Sequence, residues 1–166
     1  MHFSLIDRIT SLEPGKSIQA SKCLSLAEEY LQDHFPRFPV MPGVLMLESM
    51  YQTSAWLIRV SEDFRHSMVV LKEARNVRYG GFVQPGQTLT ISGEIIKQDE
   101  TTTTLKTQGM LGDAVAVGAR LILERYNLAD RGTVSAVTDS QLTRRLREIY
   151  RLLFQPTSLR NRNADS

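Results

Sequence analysis

The 166-residue chain holds one cysteine, Cys23, so it can form no internal disulfide and no cysteine-rich metal cluster. The expected place for such a cysteine is as a small buried side chain in a strand. Net charge is equally scarce. Twenty Lys and Arg against 18 Asp and Glu leave +2, too small an excess to mark a nucleic-acid binder, and the basic surplus gathers near the end of the chain. No apolar run approaches the length that spans a bilayer, so no membrane partner is expected. The start, Met1-His2-Phe3-Ser4, has no basic flank ahead of an apolar core, which reads as no signal peptide and makes the expected location cytoplasmic. His2, His34 and His66 show no ligand spacing and no glycine-rich loop suggests a nucleotide, so neither a metal nor a cofactor is expected. His66, inside the polar stretch from Ser61 to Ser67, reads as a solvated loop histidine.

What the chain has is a stretch from Asp33 to Gln52 around which the rest is organised. Pro36, Pro39 and Pro42 each fix their own φ and push the residue before them toward extended conformations, so no helix can begin before Pro42. From Pro42-Gly43 to about Val60 the side chains are apolar almost all round, which predicts a helix buried on several sides. Glu48 and Gln52 interrupt it four residues apart, hence on one face. A carboxylate among apolar neighbours is costly unless it is paired, hydrogen-bonded or used.

The flanking segments read mainly as strands. Phe3 to Thr10 and Ser17 to Leu24 form an expected hairpin about a turn at Glu13-Pro14-Gly15-Lys16. Ser25 with Glu28 predicts a capping box that opens a short helical turn through Leu31. Met68 to Ala74, Thr88 to Ile96, Thr101 to Met110 and Ala114 to Glu124 are further strands, the last three closely linked as in an antiparallel meander. Asn127 to Val137 reads as a linker. Asp139 to Phe154 reads as an amphipathic helix with Leu142, Leu146, Ile149 and Leu153 on one stripe, suited to packing on its own domain or a partner subunit, or to docking an acidic partner. Periodicity alone therefore gives an α+β protein with a mostly antiparallel sheet around one long helix.

His34-Phe35-Pro36, Pro39-Val40-Met41-Pro42-Gly43-Val44-Leu45, then Glu48 and Gln52 resemble the signature of the FabZ-type β-hydroxyacyl-[acyl-carrier-protein] dehydratases. Weaker echoes lie at Glu73 to Tyr79 and Val83 to Gln87, and the likeness spans roughly Phe3 to Glu124. The resemblance implies a hot-dog fold, an antiparallel sheet wrapped around a long central helix, here with an extra C-terminal helix. The organisation it suggests is a hot-dog domain over residues 1–126, a linker and amphipathic helix over 127–157, and a disordered tail over 158–166. It further implies dehydration of hydroxyacyl thioesters to trans-2-enoyl thioesters in fatty-acid biosynthesis, with no cofactor. The partners implied are acyl carrier protein or a coenzyme A thioester, and a second copy of the chain in a homodimer or a trimer of dimers. A hot-dog acyl thioesterase and a non-catalytic acyl-binding or assembly protein are the competing readings.

The chemistry fits these residue types. Dehydration needs a base for the proton beside the thioester carbonyl, an acid for the departing hydroxyl and an electrophile for the carbonyl. Histidine titrates near working pH, a carboxyl group set in an apolar helix can serve as the acid, and unpaired amides at a helix start can polarise an oxygen. By resemblance His34 is the base, Glu48 the acid partner and Gly43 the backbone donor; Pro42, Val44, Tyr51 and Phe35 line the substrate and Gln52 gives structural support. In the family the histidine and the carboxylate come from different subunits. Three departures stand out. Arg37 replaces a glycine that could hold positive φ, Tyr51 replaces a small residue and would narrow the acyl tunnel or offer its hydroxyl to the site, and Gly80-Gly81 replace basic residues thought to receive the carrier protein.

Overall fold

The computed structural model describes residues 3–132 and 134–155, so the tail expected over 158–166 lies outside the described residues. Six strands, β1 (Arg8–Glu13), β2 (Ser17–Cys23), β3 (Met68–Tyr79), β4 (Thr88–Gln98), β5 (Thr102–Leu111) and β6 (Ala114–Tyr126), form one sheet in the order β1-β2-β4-β5-β6-β3. Every neighbouring pair is antiparallel. The long helix α1 (Gly43–Ser61) packs against all six strands, and the second helix α2 (Ala136–Leu153) lies beyond it.

The core follows from the alternation of the strands and the breadth of the apolar face of α1. Leu89 and Ile91 of β4, Leu105 of β5, and Leu121 and Leu123 of β6 are fully buried on the face that meets Met50, Leu57 and Ile58 of α1. Polar residues inside α1 are tolerated because each hydroxyl is satisfied one turn back: Ser49 donates to the Leu45 carbonyl (3.0 Å), Thr53 to that of Ser49 (2.8 Å) and Ser54 to that of Met50 (2.8 Å).

Several local expectations change. The first segment joins the sheet only at Arg8, because Leu5 and Ile6 are buried where the chain crosses α1, and the Leu5 N–H is taken by the Gln52 side chain (2.8 Å). The Ser25–Glu28 capping box does not form. The short 3-10 turn Glu29–Leu31 has no side-chain cap, since the Glu28 carboxylate is drawn to the buried Lys22 ammonium. Cys23 ends β2 and is exposed, not buried. The third strand runs five residues further than expected, across irregular pairing near Asn76, which adopts φ 53°. His66 is not a solvated histidine: its Nδ1 lies 2.8 Å from Glu62 Oε2 and it is largely buried.

Within the stretch read as a linker, Ala129–Arg131 form a short 3-10 turn. Asp139, in the first turn of α2, turns its carboxylate back to accept the Leu128 and Ala129 amides (3.0 and 2.9 Å) and the Ser67 hydroxyl. The Ser67 hydroxyl bond, ahead of the two amides, holds the Asp139 carboxyl below the usual carboxylate range. From this anchor α2 lays Leu146, Ile149, Tyr150 and Leu153 on the core, with the Tyr150 ring 6.2 Å from Trp56. This is the packing on its own domain that the amphipathic stripe allowed.

Candidate active site

The chain approaches α1 through a hairpin-like loop closed by His34 and Val40. The Val40 amide donates to the His34 carbonyl (3.4 Å), and His34 Nδ1 lies 3.0 Å from the Val40 carbonyl. A carbonyl can only accept, so Nδ1 carries the hydrogen and Nε2 is left with its lone pair, the tautomer a base requires. The extended path expected of the three prolines is interrupted at its start, where Phe38 N donates to the Phe35 carbonyl (2.9 Å) and closes a turn over Pro36 and Arg37. The left-handed conformation falls on Phe35 (φ 33°), not on Arg37, so arginine in place of glycine costs nothing at that position. Holding a bulky residue there costs on the order of 1 kcal/mol, borne by the buried Val40 and Met41 on the other arm and by the Met41 amide donating to the Val83 carbonyl (2.9 Å).

At the start of α1 the Gly43 and Val44 amides precede the first intrahelical bonds, which run from Leu45 and Met46 to the Pro42 carbonyl. Any Cβ on Gly43 would sit 2.8 Å from Cε1 of the Tyr79 ring, so a larger residue there would have to displace that ring. Tyr79 is itself half exposed and at the end of an edge strand. Gly80 has a comparable reason to be glycine: a Cβ there would come within 2.6 Å of the Val115 carbonyl oxygen. Backbone approach thus explains one of the two residues found where the family carries basic ones.

One and a half turns into α1, Glu48 opens onto a cavity of about 180 Å³ whose walls include Tyr51, Gln52, Ala55, Trp56 and Arg59 of the same helix, with Phe3 and Leu146 closing it. Gln52 links this carboxylate to the start of the chain. Its Nε2 donates to Glu48 Oε1 (3.0 Å) and to the Phe3 carbonyl (3.1 Å), so the amide ties the carboxylate to the incoming chain. His34 is not among the walls of this cavity, and Phe35, Pro42 and Val44 stand with the loop and helix start instead. Phe35 and Val44 are exposed.

The Tyr51 hydroxyl donates to the Val69 carbonyl (2.8 Å) and so is committed to β3, while its ring narrows the cavity beside Glu48. Burial pushes its pKa up, against the opposing pull of the Arg59 charge. The hydroxyl is thus already spent on β3, and what the side chain contributes to the cavity is the bulk of its ring. Tyr51→Ala should raise kcat/KM for long-chain hydroxyacyl thioesters by about one to two orders of magnitude, since two or three newly admitted methylenes are worth roughly 0.8 kcal/mol each. Four-carbon substrates should be nearly unaffected; an equal loss at every chain length would show that the ring is needed as core.

Sequence reasoning passed over Arg59, Phe3 and Leu146. For Arg59 a signal was present: a lone cation in an apolar helix, eleven residues after Glu48 and so within about 20° of the same face. For Phe3 and Leu146 there was none, because they reach the cavity only through the path of the chain.

The wrapped sheet and central helix define a hot-dog fold, shared with solved structures such as the dehydratase heterocomplex ApeI:P from Xenorhabdus doucetiae. That likeness has a TM-score of 0.62 at 20% identity, covers 74% of this chain and 83% of the other, and speaks for the fold alone. Residues 1–120 match the family model described as the FabA-like domain, and the chain belongs to that family. Within it, the chain is 38% identical over 116 residues to the 3-hydroxyacyl-[acyl-carrier-protein] dehydratase FabZ of Levilactobacillus brevis, and 39% identical over 116 residues to the FabZ of Pediococcus pentosaceus. Each alignment covers 70% of this chain and 78% of the relative. Helix α2 lies outside the matched residues. No described helix is long and apolar enough to cross a membrane, and no cluster of metal-ligating side chains occurs among the described residues.

Proposed function

We propose that this protein dehydrates 3-hydroxyacyl thioesters carried by acyl carrier protein, in fatty-acid biosynthesis in the cytoplasm. The observation that carries this reading is the contact of His34 Nδ1 with the Val40 carbonyl (3.0 Å), which in a neutral ring makes Nε2 the basic nitrogen. Nε2 removes a proton from the carbon beside the thioester carbonyl. The electron pair forms the new carbon–carbon double bond as the β-hydroxyl leaves with a proton from Glu48, giving water and a trans-2-enoyl thioester. The Gly43 amide, at the positive end of α1, stabilises the charge that develops on the thioester oxygen. Proton return from His34 to Glu48 through solvent completes the cycle.

The working unit in this reading is a homodimer, the unit from which a trimer of dimers would be built. β3 is a twelve-residue edge strand, an edge that a stable protein covers. Next to it Phe35, Phe38, Val44, Tyr79 and Phe82 are all exposed, with Phe38 and Phe82 in edge-to-face contact at 5.9 Å. A second copy pairing there would bury these side chains and bring its His34 toward the Glu48 cavity.

Purified protein should hydrate a crotonyl thioester, read as loss of the enoyl absorbance, without freeing thiol; release of thiol would identify a thioesterase, and neither signal a binding protein. Mixing inactive His34→Ala and Glu48→Gln chains should restore about a quarter of the wild-type activity, because half of randomly exchanged dimers hold one intact site. No recovery after verified subunit exchange would place both residues in a site within one chain.

A further inference from the structure

The Glu48 cavity contains a cation that nothing described in the protein neutralises. Arg59 makes no ion pair among the described residues, and its Nε is buried without a hydrogen-bond partner. Its guanidinium lies 5.2 Å from the centre of the Trp56 ring, and Trp56 is backed by Tyr150 of α2. The arginine is thus held in place from the cavity floor outward. Burial lowers its pKa, a penalty that an opposite charge in the cavity would relieve. Side chains on a helix lean toward its N-terminus, so the guanidinium reaches back from position 59 along the cavity toward Tyr51 and Glu48. The nearest described carboxylate on this face, Glu48, is bonded to Gln52 and begins about 16 Å away along the axis.

A cavity with the acid of a dehydratase at one end and an unpaired guanidinium at the other has the layout for a substrate that is polar at both ends. We propose that Arg59 binds a carboxylate at the far end of the acyl chain, so that the substrate class is hydroxyacyl thioesters ending in a carboxylate rather than a methyl group. This rests on the dehydratase reading above and narrows it. The volume of about 180 Å³ holds roughly six groups of water size, which suits a short to medium chain. Leu146 and the Trp56–Tyr150 contact make α2 the element that closes the distal end. An alkyl chain of the same length would leave the buried Arg59 Nε without a hydrogen-bond partner, an arrangement that disfavours an analogue lacking the polar group.

The test compares two seven-carbon pantetheine thioesters, 3-hydroxyheptanoyl and 6-carboxy-3-hydroxyhexanoyl. Wild-type protein should favour the carboxylate in kcat/KM by about 10- to 100-fold, the range of one charge-assisted hydrogen-bonded contact. Arg59→Met should reverse the preference, and Arg59→Lys should keep part of it. Should Arg59→Met fail to fold, Arg59→Gln removes the charge at similar length and provides the same ratio. A ratio that Arg59→Met or Arg59→Gln leaves unchanged, while both substrates still turn over, overturns the inference and leaves the dehydratase standing. Calorimetric binding of the saturated, unreactive thioesters of the same two chains reads the subsite without turnover. Equal affinity for them in the wild type overturns the inference even if dehydration is absent, whereas tighter binding of the carboxylate that is lost in Arg59→Met upholds the subsite and isolates any failure in the assignment of the reaction.

Discussion

Replacing His34 with alanine is expected to lower dehydration by 10²–10⁴-fold while the protein stays folded, since that is the range a positioned general base supplies. The fold should survive because the imidazole contributes no core area and its loop keeps other anchors: the Val40 amide on the His34 carbonyl, the Met41 amide on Val83, and the buried Val40 and Met41 side chains. Initial rates with a four-carbon hydroxyacyl thioester, together with an unchanged melting temperature, make the measurement. Retention of more than about a tenth of the activity would remove His34 from the role of base.

The largest effect on stability should come from a residue far from the reaction. Arg125 ends β6 with its side chain 3% exposed, one guanidinium nitrogen on Glu62 and the other on the Asp99 and Thr102 carbonyls. It ties the C-terminal end of α1 to the β4–β5 turn, where Asp99 also organises the chain by accepting the Thr102 hydroxyl and the Thr101 and Thr102 amides; these bonds lower its pKa to about 2. Arg125→Met would leave Glu62 with His66 alone and orphan the Asp99 carbonyl, while the Thr102 carbonyl keeps the Asp99 amide (3.0 Å), a loss of about 3–5 kcal/mol by analogy with other broken buried pairs. In a domain of this size that lowers Tm by roughly 10 °C. The double variant Glu62→Leu with Arg125→Met removes the stranded charge and should recover part of the loss. A single-variant cost below about 1 kcal/mol would mean that water serves Glu62 as well as the arginine does.

Much of the scaffold was legible before any tertiary contact was known. Three prolines followed by a mostly apolar run placed the start of α1 at Pro42-Gly43, and its observed first residue is Gly43; the strand alternation placed β2, β4, β5 and β6 to within a residue or two at most ends. The Pro14-Gly15 turn has Gly15 at φ 75° and the Lys16 amide on the Glu13 carbonyl (3.0 Å), as that pair of residues requires. The motif that carries the family, from His34 to Gln52, is likewise contiguous in the chain.

The errors have a common origin. Ser25 and Glu28 have capping-box spacing, yet Lys22, brought alongside by β2, takes the carboxylate. His66 lies in a polar loop sequence, yet the turn after α1 folds it onto Glu62. Cys23 has a buried residue's chemistry but falls at the exposed end of its strand.

The sequence by itself determined what depends on near neighbours: where the helix starts, which residues alternate into the core, and which helical face carries Glu48, Gln52 and Arg59. Tertiary structure alone decided which of those groups share a space. Glu48 and Arg59 line one cavity because both fall on one helical face, but Phe3 and Leu146 join them only because the first segment crosses α1 and the Asp139 anchor directs α2 back over it. Periodicity encodes the face a residue presents; what that face meets is set by the register of the sheet and the path of the chain, to which residues distant in sequence contribute together.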